Sequence, residues 1–440
     1  MTTVLIQFKR AILLLIDIVL GYFALATTLL IKYGWTEFYP QFQSHLLPFS
    51  IIIILFLASF YIFNLYSFRF NRNITDLIDS FTKSILLSFI ASISIFYIFG
   101  SFFNVAPKTN LIIFTIVFGI FDFYIRILLK RYYSHKKINR KIFIINNTHN
   151  NLIDEIKNNQ NIGYEIIKET NTFNYEEVLA CHPDIVIIDS VQNEAFEKLY
   201  PLLQKNISIY TINMFYEETF QKIPTETIDK DKIIEYVNKN KTFFIFLKRF
   251  LDFIMSSILM IITLPLWVVI AIIIKFTSRG PILIKQTRVG QNDSHFILFK
   301  FRSMYATDPD GQSEGGKPTW STDENTDPRI TKFGRIIRKT HLDEIPQLIN
   351  ILRGNISFVG PRPERPEFTK MLNEKVQYYD LRHAVKPGLT GWAQINYRYG
   401  ASVEDSKEKL KFDFYYIKNR NIFLDFLIVL KTIAMILQKR

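Results

Sequence analysis

Four largely apolar runs fill the first 130 positions, at about Ala11 to Ile31, Leu46 to Leu65, Ile85 to Phe103 and Leu111 to Leu129. Each is near the roughly 20 residues that a helix needs to cross a bilayer. Their flanks give them a direction. Lys9, Arg10, Arg69, Arg72, Lys130, Arg131, Lys136, Lys137, Arg140 and Lys141 fall at alternate ends, whereas the opposite loops carry mainly Lys32 and Lys108. Basic residues are retained on the cytoplasmic side, so both ends of a four-helix transmembrane bundle are expected there. No small-residue cleavage site follows the first run, which reads as a retained anchor rather than a signal peptide.

Composition narrows the partners. The formal charge is +13, but the basic residues stand largely beside apolar blocks. Anionic lipid headgroups and anionic substrates are therefore expected as partners, and nucleic acid is not. Cys181 is the only cysteine, which excludes an intrachain disulfide, and no Cys/His spacing matches a zinc site. From Lys141 to about Ile212 the pattern changes to short β-branched runs, KIFIIN, YEIIK, DIVIIDS and ISIYTI, separated by polar helical stretches. This alternation predicts a small parallel sheet in a Rossmann-like β/α domain. A dinucleotide site would need glycines after the first strand. The chain has NNTHNN there, Asn146 to Asn151, so a scaffold or oligomerisation role is expected instead.

The most informative apolar block is KRFLDFIMSSILMIITLPLWVVIAIIIKFTSRG, Lys248 to Gly280. Pro265 removes a helical N–H near its middle and favours a kink. Lys248 and Arg249 precede the block, and Lys275, Arg279, Lys285 and Arg288 follow it. Positive charge on both sides argues for a re-entrant helix with both ends cytoplasmic; a kinked spanning helix stays open as the other topology.

Beyond it, GPILIKQTRVGQNDSHFILFKFRSM, Gly280 to Met304, reads as two strands around a Gly/Asn/Asp turn. Lys300 and Arg302 alternate with Phe299 and Phe301, so an extended segment turns both cations to one face, toward a ligand or toward solvent. Tyr305 to Pro328 is polar and rich in Gly and Pro, as a mobile site loop or a disordered segment would be. A basic, partly amphipathic helix then leads to Asp343 and Glu344. Pro346 suits the first turn of a new helix, which makes Asp343 its expected N-cap. An isolated Asp-Glu pair is more often a cap and a surface residue than a site. Three neighbours reverse that preference here: Arg338 upstream, Arg362 held between two prolines, and the Lys300/Arg302 pair. Arg is the side chain suited to bidentate phosphate contacts. The closing stretch NIFLDFLIVLKTIAMILQKR is expected as an apolar helix in the membrane interface.

KFRSM, LDEIPQLINILRGNISFVGPRP, LRHAVKPGLTGWAQIN and KFDFYYIKN stand in this order from residue 300 to 419. In these motifs the chain resembles the bacterial sugar transferases that act as polyprenyl-phosphate phosphoglycosyl transferases, from about Lys248 to the C-terminus. Its bundle and β/α domain are similar to those of the larger members. The resemblance implies a mostly helical, membrane-embedded catalytic domain at 241–440, held on the cytoplasmic face of the bacterial inner membrane by a re-entrant helix at about 248–275. A transmembrane bundle at 1–135 and the β/α domain at 136–240 would precede it. It further implies that Asp343 attacks the sugar-bearing phosphate of a UDP-sugar, releasing UMP, and that a polyprenyl phosphate then takes the phosphosugar. Glu344 would assist, Mg²⁺ would bind at Asp343 and Glu344, and Lys300, Arg302, Arg338, Arg362 and Asp413 would serve the substrate. A homodimer through the N-terminal regions is also implied. One departure is Leu264, where some relatives carry Ser before the proline; Thr263 offers a substitute hydroxyl.

Two other classes compete. A non-catalytic scaffold of polysaccharide assembly predicts that Asp343→Asn leaves function intact. A transporter of lipid-linked sugars predicts polar residues along a path through the bundle, and the apolar runs offer few, with Asp17 and Asp122 near their ends.

Overall fold

The computed structural model describes residues 2–63, 65–66, 74–98, 103, 108–135, 140–145, 150–158, 164–188, 193–225, 242–306, 327–397, 400 and 402–438. It is mostly helical, with small sheets, and it divides into two compact units, residues 1–219 and 220–440.

The first unit opens with α1 (Thr2–Ile62), α2 (Ile74–Ile98) and α3 (Lys108–His135). The first two apolar runs lie within α1, on either side of Gly34, whose φ of 68° breaks the helix. Only glycine takes up that left-handed conformation without a steric cost. The two halves lie side by side and antiparallel: Tyr22 and Ser50 share a hydrogen bond of 2.9 Å, and a Cβ at Gly21 would come within 2.9 Å of Ile53. Among apolar surroundings, helices associate through close packing rather than through the hydrophobic effect. The bundle interior accordingly consists of interlocked rings. Phe49, Phe56, Phe60, Phe114 and Phe118 are wholly buried, with Phe56 edge-on to Phe118 at 5.3 Å. At one end Arg126 ties three segments together. It donates to Asp122 at 2.6 Å, to Asp17 at 2.7 Å and to the Leu65 carbonyl at 3.0 Å, while Tyr66 donates to Asp17 at 2.7 Å.

The expected β/α alternation follows as β1 (Arg140–Ile145), α4 (Asn150–Asn158), β2 (Tyr164–Thr170), α5 (Tyr175–Ala180), β3 (Ile185–Ile188), α6 (Asn193–Gln204), β4 (Ser208–Thr211) and α7 (Ile212–Phe220). All strands are parallel in the order β2-β1-β3-β4. The two central strands are apolar on both faces because helices cover both, and Ile185 to Ile188 are all buried. Most of the glycine-free turn after β1, residues 146–149, lies outside the described residues.

The second unit is built on α8 (Thr242–Thr277), which continues through Pro265. The Thr263 hydroxyl donates to the Leu259 carbonyl at 2.6 Å and accepts from the Trp267 indole at 3.1 Å, next to the break in hydrogen bonding that Pro265 imposes. Among the described residues four helices, this one included, are long and apolar enough to cross a membrane. One face of α8 packs on the unit through Asp252, Ser256, Met260, Trp267, Ile270 and Ile274, and much of the remainder is exposed apolar surface. The hairpin β5 (Leu283–Val289) and β6 (His295–Phe301) comes next, as the turn signal predicts. Then follow α9 (Lys332–Lys339), α10 (Gln347–Arg353), β7 (Ser357–Val359), α11 (Pro366–Lys375), β8 (Gly388–Thr390), α12 (Trp392–Asn396), α13 (Val403–Asn419) and α14 (Ile422–Gln438). β7 and β8 approach so closely that a Cβ at Gly388 would lie 2.1 Å from the Gly360 nitrogen.

Candidate active site

The hairpin and the segment after α9 bring the predicted carboxylates to the predicted cations. Thr331 caps α9 by accepting the Gly334 N–H at 2.8 Å. His341, at φ 55°, then turns the chain into a 3₁₀ turn, Leu342–Glu344. Asp343 therefore lies in this turn and is not the expected N-cap. Pro346 occupies the cap position of α10, where its missing N–H has no partner to lose. Lys300 reaches Glu344 from β6 at 2.7 Å, and Arg362 reaches the same carboxylate oxygen at 3.3 Å.

The two adjacent carboxylates are pushed in opposite directions. Burial works to raise the Glu344 pKa, but Lys300 and Arg362 overcome it and hold the group well below the usual carboxylate range. Asp343 is raised: burial dominates, Lys300 and Arg338 oppose it, and the Glu344 charge adds to it. Arg338 is thus close enough to act on Asp343 through its charge. Among the described residues no side chain hydrogen-bonds or pairs with the Asp343 carboxylate. The arrangement is one fixed anion flanked by cations and one unpaired carboxylate beside it, which suits nucleophilic chemistry on a phosphorylated substrate.

Two arginines that the sequence reading did not single out fix the Arg362 loop. Arg288 donates to the Pro363 carbonyl at 2.9 Å, and Arg382 donates to the Arg362 carbonyl at 3.1 Å. Their signal was weak, since each is one basic residue on a strand or turn. Arg382 explains the place of Asp413. Asp413 is 1% exposed and pairs with Arg382 at 2.9 Å, so it supports the loop through Arg382. Arg302 also differs from expectation. β6 ends at Phe301, so the alternation that would keep residue 302 on the face of Lys300 ends there too. The Arg302 guanidinium is buried at the C-terminal end of α8, bound to the Pro281 carbonyl, to the Ser278 carbonyl at 2.8 Å and to the Ser278 hydroxyl at 2.9 Å. Gly280, at φ +119°, makes room: a Cβ there would stand 2.6 Å from an Arg302 nitrogen. Trp392 is core, and His383 is buried and bonded to Asp293 at 2.7 Å. Of the predicted loop 305–328, residues 307–326 lie outside the described residues.

The family described as bacterial sugar transferase matches residues 243–439. A UDP-N-acetylgalactosamine-undecaprenyl-phosphate N-acetylgalactosaminephosphotransferase of Aeromonas hydrophila is 36% identical over 48% of this chain and 50% of its own length. A UDP-glucose:undecaprenyl-phosphate glucose-1-phosphate transferase of Escherichia coli (strain K12) is 38% identical over 42% of this chain and 39% of its own. The exopolysaccharide production protein PSS of Rhizobium leguminosarum is 36% identical over 43% of this chain and 94% of its own. The match spans half the length of the Aeromonas protein and less than half of the Escherichia one.

Proposed function

Because the chain belongs to the bacterial sugar transferase family, we propose that it transfers a sugar 1-phosphate from a UDP-sugar to undecaprenyl phosphate or a similar polyprenyl phosphate, releasing UMP. This would be the first membrane step in building an exopolysaccharide, capsule or O-antigen type glycan. The observation that carries the proposal is the unpaired, buried Asp343 beside a Glu344 held between Lys300 and Arg362. Relatives whose names specify undecaprenyl-phosphate sugar phosphotransfer support the substrate class.

In this reaction an Asp343 oxygen attacks the sugar-bearing phosphorus, and the bond to the bridging oxygen breaks, so that UMP leaves with that oxygen. The aspartyl phosphosugar is then attacked by an oxygen of the polyprenyl phosphate, which restores the carboxylate. Lys300, Arg338 and Arg362 balance the phosphate charge in both steps. The hard oxygen donors of Asp343 and Glu344 fit Mg²⁺, which takes one or two carboxylates and completes its shell with substrate phosphates and water. Bound there, it would neutralise diphosphate charge.

The membrane arrangement belongs to the same proposal: a multi-pass protein of the inner membrane, its catalytic domain on the cytoplasmic face, and α8 re-entrant. Support comes from how the second unit grips α8 along its length. Lys248 pairs with Asp425 and Arg249 donates to the Ile351 and Leu352 carbonyls near one end, while Arg302 holds Ser278 at the other. A helix held by one domain at both ends is suited to enter and leave on one side. We further assign the β/α region, expected at 136–240 but giving way to the second unit at residue 220, as a Rossmann-like scaffold that follows the bundle in chain order, and a homodimer as the assembly.

UMP release from a panel of UDP-sugars with undecaprenyl phosphate and Mg²⁺ tests the reaction, comparing wild type with Asp343→Asn. Release that requires one UDP-sugar, the lipid and Asp343 is expected. Release that survives Asp343→Asn would overturn the nucleophile, and a folded protein inert toward the whole panel would favour the scaffold reading.

A further inference from the structure

Residues 221–225 stand ahead of the stretch that matches the family, yet they belong to the second unit, and Lys222, Ile223, Pro224 and Thr225 are buried in it. The Gln221 carbonyl accepts the Trp392 indole N–H at 2.9 Å. The Ile223 N–H donates to the Lys411 carbonyl of α13 at 3.0 Å. Lys222 pairs with Glu408 of the same helix and lies 5.7 Å from the Phe412 ring centre. Ile223, 3% exposed, shares a core cluster with Leu372, Val376, Tyr379, Leu410 and Phe414.

Two of these contacts border the site. Tyr379 accepts a hydrogen bond from Arg382, and α13 carries Asp413, which pairs with Arg382. Arg382 in turn holds the Arg362 carbonyl, and Arg362 pairs with Glu344. We propose that residues 221–225 form a positioning strap, in which Lys222 and Ile223 seat α13 and Tyr379 so that Asp413 and Arg382 fix Arg362 against Glu344. The strap touches no reacting atom. Its chemistry favours seating over simple space filling, because Lys222 meets a carboxylate that Lys411 also holds at 3.0 Å. A doubly held carboxylate fixes both position and orientation of the helix turn that bears it. As a catalytic effect, the inference rests on the proposed phosphosugar transfer.

The test uses the full chain in lipid nanodiscs, with Lys222→Met, Lys222→Arg and Ile223→Asp. Two readouts are taken: UMP release kinetics, and hydrogen exchange at the amides of Gly360, Arg362 and Glu364. Lys222→Met is expected to lower kcat about tenfold with KM for the UDP-sugar within about twofold, the pattern of an interaction realised in the transition state. It should speed exchange in 360–364 and leave the 283–301 hairpin unchanged, and Lys222→Arg should restore both readouts. Ile223→Asp should give the same pattern more strongly; if it unfolds the protein, the Lys222 pair decides alone. Unchanged exchange at 360–364 in Lys222→Met overturns the strap. A wild type inert toward every UDP-sugar overturns the reaction, and the exchange result still decides the strap.

Discussion

Two clusters of the molecule combine arginine with a pair of carboxylates, and they are wired differently. In the bundle, every guanidinium nitrogen of Arg126 has a partner, on Asp17, Asp122 or Leu65. In the second unit, Glu344 takes both Lys300 and Arg362, and Asp343 is left without a partner among the described residues. The first network spends its charge on holding three segments in register. The second keeps one charge in reserve, and a reserved charge is what a reaction can use. Asp17 and Asp122, the acidic residues near the ends of the apolar runs, are thus accounted for by a lock and not by a path.

The sharpest way to break this contrast is Asp343→Asn. UMP release should fall at least about a thousandfold, as when a nucleophile is deleted. The melting temperature should rise: a carboxyl whose pKa is raised on folding binds its proton more tightly in the folded state, so above its ordinary pKa of 3.8 ionisation costs stability that an amide does not. A fall in Tm would show that Asp343 has a structural partner after all. Next is Arg126→Met, which strands two buried carboxylates. It should cost about 3–5 kcal/mol in unfolding measurements, the range for breaking a buried pair, while turnover per folded molecule stays within about twofold. Glu344→Gln should lower kcat/KM by about 10–100-fold. It should also shift the acid limb of the pH profile to lower pH, because the like charge that raises Asp343 is gone. A shift to higher pH would mean that Glu344 governs the profile itself. The smallest effect belongs to the exposed pair Lys83–Asp79; Lys83→Ala should change stability by less than about 0.5 kcal/mol.

Period and spacing carried much of this into the sequence. The apolar runs, the β/α alternation of 140–211 and the hairpin at 283–301 each follow from patterns that extend over many residues. The convergence of Lys300, Arg362 and Glu344 was also legible, because their ordered motifs bring recognisable context. What the sequence did not show depends on where regular structure stops. Arg302 turns away from Lys300 since the strand ends one residue earlier, and Asp343 loses its cap role since a 3₁₀ turn intervenes. Arg288, Arg382 and the strap at 221–225 act through backbone carbonyls and long-range packing, for which local pattern carries no signal.

The separate duties of two neighbouring cations set a height. Lys300 grips Glu344 and Arg302 grips the end of α8, and two residues of near-extended chain span only about 7 Å. With α8 lodged in the lipid as proposed, Asp343 and Glu344 would ride at a constant level above the point where the helix leaves the bilayer. In the proposed reaction, a polyprenyl carrier in its leaflet would have to bring its terminal phosphate to that level. The enzyme would then gauge lipid depth as well as lipid identity, and membranes of different headgroup thickness should change its turnover even when every substrate is in excess.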